Sequence, residues 1–250
     1  MTRVFGEVAA MYDDVRPGYG EEIPAAIVDY HGGVPESIVE IGAGTGKGTE
    51  ALLAIGAPMT CIEPDPRMAA VLQAKFPTVR VESSTFEQWT APAGGVPLIA
   101  CALAWHWLDE ATRHRRTHDS LRPGGTLAAF GHKYGYADPA HQDAVTAALH
   151  AVDSGVTDRG DTWLVDDIAG SGVFADVEAT VWHRPLALST ERYLQLFQTF
   201  GPFRKRAPEQ QADVLARLAA VVDGLGGSIA LRLRTTLVLA RRPGRASPAR

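Results

Sequence analysis

Two carboxylates, three glycines and two histidines stand where residue type and spacing suggest chemistry. Gly42, Gly44 and Gly46 alternate with Ala43 and Thr45, directly after an apolar run at 37–41 whose single charge is Glu40. Glycines there turn the chain with no Cβ in the way, so a ligand can lie against bare backbone. The dinucleotide fingerprint separates its last two glycines by two residues, whereas Gly44 and Gly46 are separated by one. A buried carboxylate at Glu40 needs a partner. A pyrophosphate would be repelled; a protein Arg or Lys would serve, as would a ligand carrying ammonium and sulfonium charges. Glu63 lies about twenty residues past the loop, where a carboxylate, offering acceptors only, can take both hydroxyls of a ribose.

Ser83-Ser84-Thr85-Phe86-Glu87 ends the third apolar run. Its small hydroxyls and amides can read an adenine edge while Phe86 packs on the ring; a capped loop entering a helix is the alternative. His106 and His132 follow the fourth and fifth runs, where open α/β sheets bind their substrates. Histidine titrates near neutral pH, so either can act as general base. The alternative for Trp105-His106-Trp107 is a wall packed against a ligand. No His/Cys/Asp cluster has metal-ligand spacing, and no nucleophile elbow occurs.

The elements that must position these residues follow from the apolar pattern. Strands are predicted at 37–41, 59–62, 79–82, 98–103 and 126–130, with helices at 21–30, 47–54, 67–75 and 109–121. Asp65 is the N-cap of the third of these helices, with Pro66 at its first position. The helix at 109–121 carries an exposed face rich in Arg and His. Repeated strand–helix alternation argues an open, mostly parallel, doubly wound sheet. In the second half, helices at 140–152, 162–169, 190–200 and 208–222 accompany strands at 177–182 and 231–240. The expected architecture is a Rossmann-like seven-stranded α/β sheet with an antiparallel C-terminal edge hairpin. A helical lid at about 185–227 caps the ligand end. An N-terminal segment at about 1–35 is weakly helical until Pro17 stops it, so Arg16 marks the boundary. Residues 1–240 read as one domain, and 241–250, with nothing to bury, as a disordered tail.

The bulk numbers exclude several classes. The 250 residues are 46% hydrophobic and 21% charged, with a net charge of −5. That balance gives no support to a nucleic-acid or anionic-membrane surface. No apolar run approaches the roughly 18 residues of a membrane helix, and residues 1–10 lack a signal-peptide core, so the cytoplasm is expected. Cys61 and Cys101 both sit in apolar runs and read as buried free thiols.

The motifs Val39-Glu40-Ile41-Gly42-Ala43-Gly44-Thr45-Gly46, Ile62-Glu63-Pro64-Asp65, Ser84-Thr85-Phe86-Glu87-Gln88-Trp89, Ala102-Leu103-Ala104-Trp105-His106-Trp107 and Leu121-Arg122-Pro123-Gly124-Gly125 occur in order. Together the chain resembles the class I S-adenosylmethionine-dependent methyltransferases, in particular the small-molecule branch with trans-aconitate methyltransferase-like and ubiquinone-biosynthesis-type enzymes. The resemblance implies S-adenosyl-L-methionine as cofactor and S-adenosyl-L-homocysteine as product. It implies that Glu40, Gly42, Ala43, Gly44 and Gly46 hold the methionine end, and that Glu63 with Pro64 holds the ribose. Ser84, Thr85 and Phe86 would surround the adenine, and Ala102, Leu103 and Ala104 would offer backbone to the amino-acid portion. Tyr12 and Arg16 match a segment that folds over the cofactor, Arg16 toward the methionine carboxylate. Many relatives carry an aspartate near Ser84, which this chain lacks. The acceptor surface is expected to draw on Trp107, His132, Tyr134, Tyr136, Trp163, Tyr193 and Phe197, and the partner to be a small molecule met by a monomer or homodimer. Ala104-Trp105-His106-Trp107 replaces the Asn/Asp-Pro-Pro-aromatic motif of nucleic-acid methyltransferases. A cofactor-consuming cyclase and a non-catalytic cofactor-binding protein are the alternatives.

Overall fold

The computed structural model describes residues 5–152 and 160–244. Strands β1 (Ile38–Ile41), β2 (Met59–Ile62), β3 (Arg80–Glu82), β4 (Val96–Ala102) and β5 (Leu121–Tyr136) run parallel. Strand β7 (Ser228–Arg241) lies antiparallel between β5 and β6 (Ala175–Ser189). The sheet order is β3-β2-β1-β4-β5-β7-β6. The chain winds outward from β1 in one direction and from β4 in the other, so the two strands flank the switch point where α/β sheets bind ligands. That topology sets the glycine loop after β1 beside the turn after β4.

Ten α-helices are described: α1 (Ala9–Val15), α2 (Glu22–His31), α3 (Lys47–Leu53), α4 (Pro66–Lys75), α5 (Arg113–Ser120), α6 (Pro139–His150), α7 (Trp163–Gly170), α8 (Thr190–Gln198), α9 (Gly201–Arg204) and α10 (Pro208–Gly224). Local signals set several ends. Asp65 caps α4 by accepting the Arg67 amide at 3.0 Å, with Pro66 in the first turn. Arg16, ahead of Pro17, takes an extended ψ of 128° and ends α1. Gly32 closes α2 in the left-handed conformation.

Alternate side chains of the parallel strands feed two cores, one on each face of the sheet. Ile38, Leu98 and Phe130 pack with Ile27 of α2, Leu52 of α3 and Leu72 of α4. Val39, Ile99 and Leu127 pack with Trp89, Trp105 and Ile168 of α7. A third apolar cluster joins Val145 of α6, Leu196 of α8, Phe203 of α9 and Leu218 of α10 to Ile229 and Leu231 of β7. The cap over the ligand end therefore has a core of its own.

Several expected bounds are corrected. β5 continues past Phe130 to Tyr136 because β7 supplies a partner, pairing His132 with Thr235 and Tyr134 with Leu233. Residues 185–189, expected in the lid, belong to β6, whereas α6 joins the cap. α5 starts at Arg113, and Arg113 itself points inward at 4% exposure, its guanidinium bonded to Asp167 of α7. Both cysteines are buried and free. Of the expected tail, Arg241 ends β7, and residues 245–250 lie outside the described residues. No described helix is long and apolar enough to cross a membrane.

Candidate cofactor and acceptor site

The switch point opens into a cavity of about 400 Å³. Its floor is Gly42 and Gly44 at the end of β1, and its sides include Glu63 and Pro64 after β2 and Thr85 and Phe86 after β3. Ala102, Leu103 and Ala104 close it from β4, and Tyr12 and Arg16 roof it from the N-terminal segment. Gly42 has φ +64°, and a Cβ there would lie 2.5 Å from that of Ala104. Only a glycine lets the two loops touch at this point.

Glu63 is 6% exposed. Its Oε2 accepts the Gly44 amide and its Oε1 the Asp65 amide, each at 2.8 Å. Each oxygen of a carboxylate accepts more than one hydrogen bond, so a carboxylate held this way keeps acceptor capacity toward the cavity. The donor set fits an adenosyl ligand: a bare-backbone floor, an oriented carboxylate after β2, and the Phe86 ring at the β3 end.

Other expected contacts are elsewhere. Glu40 is fully buried and is not on the cavity wall. Its Oε2 accepts the Thr49 hydroxyl at 2.5 Å and the Cys61 thiol at 3.6 Å, while Oε1 has no hydrogen-bond partner among the described residues. Burial pushes this carboxyl up to about 7, against the opposing pull of the Thr49 and Cys61 hydrogen bonds. Among the described residues no cation pairs with it, and burial favours its protonated form. Ala43 and Gly46 also lie off the wall, Gly46 because a Cβ there would meet Leu72 and Phe76 at 2.7 Å. Ser84 is off the wall too, its hydroxyl buried without a partner among the described residues. Trp107, expected against the acceptor, instead lines this first cavity, its ring centroid 5.6 Å from that of Phe5.

Sequence reasoning missed Phe5, Met68, Pro202 and Lys205 on this wall. They come from distant elements, with no local motif to mark them. Glu87, also on the wall, did stand inside a quoted motif; its Oε1 accepts the Asp109 amide at 3.2 Å.

A second cavity of about 580 Å³ lies toward the cap. Tyr134 and Tyr136 of β5, Trp163 of α7, and Tyr193 and Phe197 of α8 all line it, as expected for an acceptor surface. The Tyr136 and Tyr193 hydroxyls bond each other at 2.8 Å. Burial raises both phenols, so they stay protonated at neutral pH. The two cavities share Arg16, Leu103, His106 and Pro202.

The two histidines differ. His106 faces both cavities, its ring 4.8 Å from that of Trp107 and 6.5 Å from that of Trp163. His132 lines the acceptor cavity, but both ring nitrogens are engaged, Nδ1 with the Thr235 hydroxyl at 2.9 Å and Nε2 with the Gly18 carbonyl at 3.2 Å. Its ring also stacks on Tyr19 at 4.1 Å. Burial lowers its pKa to about 4. That geometry is a clamp between β5, β7 and the N-terminal segment, and leaves no ring nitrogen to take a proton from an acceptor. Arg16 is likewise tethered, Nε to the Thr199 hydroxyl at 2.8 Å and Nη2 to the Thr199 carbonyl at 3.0 Å, with its guanidinium carbon 4.5 Å from the Phe200 ring centroid.

Residues 38–125 match the family model of methyltransferase domains. Over 132 residues the chain is 33% identical to an uncharacterized methyltransferase of Mycobacterium tuberculosis, with 51% of each chain covered. The chain thus spans about half the length of the curated relatives it matches. A protein from Anaeromyxobacter dehalogenans described as a candidate type II methyltransferase superposes with a TM-score of 0.68 at 19% identity, covering 92% of this chain and 99% of that one. Phosphoethanolamine N-methyltransferase 2 of Haemonchus contortus, solved with phosphomonomethylethanolamine and S-adenosylhomocysteine, superposes with a TM-score of 0.54 at 13% identity, covering 97% of this chain and 58% of that one. The fold is the Rossmann-like one that these solved methyltransferase structures share.

Proposed function

We propose that this chain transfers a methyl group from S-adenosyl-L-methionine to a small organic acceptor, leaving S-adenosyl-L-homocysteine. The observation that carries this reading is the pair of cavities meeting at a common wall, one with a glycine floor and an oriented carboxylate, the other lined by aromatic rings. Residues 1–240 act in it as one unit in the cytoplasm, as a monomer or homodimer, with neither nucleic acid nor membrane as partner.

Glu63 takes the ribose hydroxyls, Gly42 and Gly44 pass beneath the methionine portion, and Thr85 and Phe86 flank the adenine. Arg16 and Tyr12 cover the ligand. The bound cofactor supplies a methyl group already activated on sulfur. The chain holds the acceptor in line and excludes water, which together account for several kcal/mol of barrier lowering. The volume of about 580 Å³ suits a small molecule, and its aromatic lining suits one with a flat apolar body. His106, facing both cavities, takes the proton where the acceptor must lose one.

Calorimetry with S-adenosylhomocysteine tests the cofactor half, and absence of binding refutes the reading. Incubating the chain with S-adenosylmethionine and a panel of phenols, carboxylic acids and amines, with S-adenosylhomocysteine formation as readout, tests the acceptor half.

A further inference from the structure

Leu103 has φ +53°, an uncommon conformation for a residue with a Cβ. Its amide donates to the Phe130 carbonyl at 2.8 Å, which carries the β4–β5 ladder one residue past the end of β4. Gly131 comes next on β5, and its own φ is not in the left-handed region, so backbone conformation does not demand a glycine there. Space demands it. A Cβ on Gly131 would lie 2.8 Å from Leu103 Cδ2 and 3.1 Å from Cγ. The Leu103 side chain occupies the place a residue-131 side chain would fill. Leu103 is also one of the four residues that face both cavities. Of those four, it is the one rising directly from the end of the sheet.

We propose that Leu103, seated on Gly131, is the sill of the passage between the two cavities, and that its seating sets the room left for the transferred methyl group. This inference rests on the cofactor reading above. A methyl group added at residue 131 lifts Leu103 into the passage. A ligand with a methyl on sulfur then suffers more than the same ligand without it.

The test compares S-adenosylmethionine, S-adenosylhomocysteine and sinefungin by calorimetry, since sinefungin has a carbon in place of sulfur and an amino group where the sulfonium carries its methyl. Gly131→Ala should weaken S-adenosylmethionine relative to S-adenosylhomocysteine by about tenfold, the scale of overpacking by one methyl. Adding Leu103→Ala to Gly131→Ala should return the ratio to the wild-type value. Equal weakening of both ligands, or no change in the ratio, overturns the proposal. Leu103→Ala alone decides the matter if Gly131→Ala fails to fold: sinefungin should gain on S-adenosylhomocysteine, and an unchanged ratio overturns the proposal. Failure of the wild-type chain to bind S-adenosylhomocysteine would instead strike the cofactor reading itself.

Discussion

The Glu63 carboxylate accepts the Gly44 amide at 2.8 Å, joining the loop after β1 to the loop after β2. The same carboxylate accepts the Asp65 amide, one residue before α4 begins. One side chain thus sets the shape of the glycine floor and the start of a helix, and does so while facing the cavity. On the function proposed above, Glu63 would serve ligand binding and loop geometry at once.

Glu63→Ala should therefore weaken S-adenosylhomocysteine by more than one lost hydrogen bond. It also leaves two backbone amides without their acceptor, each worth about 1–3 kcal/mol when buried. A loss of about 100-fold or more in calorimetric affinity is expected, with a lowered melting temperature. Unchanged affinity would remove Glu63 from the site.

Glu40 and His132 pull stability in opposite directions with pH. Glu40 is raised from 4.5 to about 7, chiefly by burial, so the native state keeps a proton that the unfolded chain releases. Its contribution therefore falls as pH rises through that window. His132 is lowered from 6.5 to about 4, again by burial, so the unfolded chain binds a proton that the native state refuses. Its contribution rises with pH across that range and is lost on acidification. Each effect is about 3 kcal/mol at full extent. Where the windows overlap the two oppose each other. Urea denaturation across that overlap should show stability rising more steeply with pH in Glu40→Gln than in wild type, and falling with pH relative to wild type in His132→Phe. Parallel profiles for all three proteins would show that neither group titrates as described.

Asp167 of α7 holds α5 in place from within. It accepts hydrogen bonds from Arg113 and from the Trp105 indole, the latter at 2.7 Å, and its Oδ2 is 2.7 Å from His114 Nε2. Removing the carboxylate strands the buried Arg113 guanidinium, a loss of about 3–5 kcal/mol for a broken buried pair. Asp167→Ala should lose that much in denaturant titration, and Arg113→Met on that background should recover most of it. Additive losses in the double variant would mean that the pair does not carry the stability.

His106→Ala separates a base from a wall. If the ring takes the acceptor's proton, turnover should drop about 100-fold or more while S-adenosylhomocysteine affinity changes little. Equal losses in both would assign His106 to packing.

Legibility followed how local the cause was. β2 appears at the expected residues 59–62, because a short apolar run between turn signals is a local pattern. Asp65 caps α4 as expected for the same reason. The length of β5 was hidden, since Gly131, His132 and Lys133 break the apolar run and only pairing with β7, a hundred residues on, makes them strand. Arg113 looked like part of a solvated face because its partner, Asp167, is 54 residues away. That the glycine loop and Glu63 come together was readable from their spacing, and both line the first cavity. That Glu40 stands off the wall was not, since a strand pattern gives burial but not the direction of a long side chain. Trp107 lines only the first of the two cavities while its neighbour His106 faces both, a difference that adjacency in the sequence does not reveal.

The position of β7 in the sheet bears on the order of events at the ribosome. β5 presents an outer edge that residues 228–241 cover, and those follow it in the chain only after five helices and β6. The strands around the switch point all precede it in the chain, so the first cavity's floor can assemble while the β5 edge is still bare. Bare strand edges invite pairing with other chains. For this protein, the interval between synthesis of β5 and arrival of β7 is therefore a time of aggregation hazard.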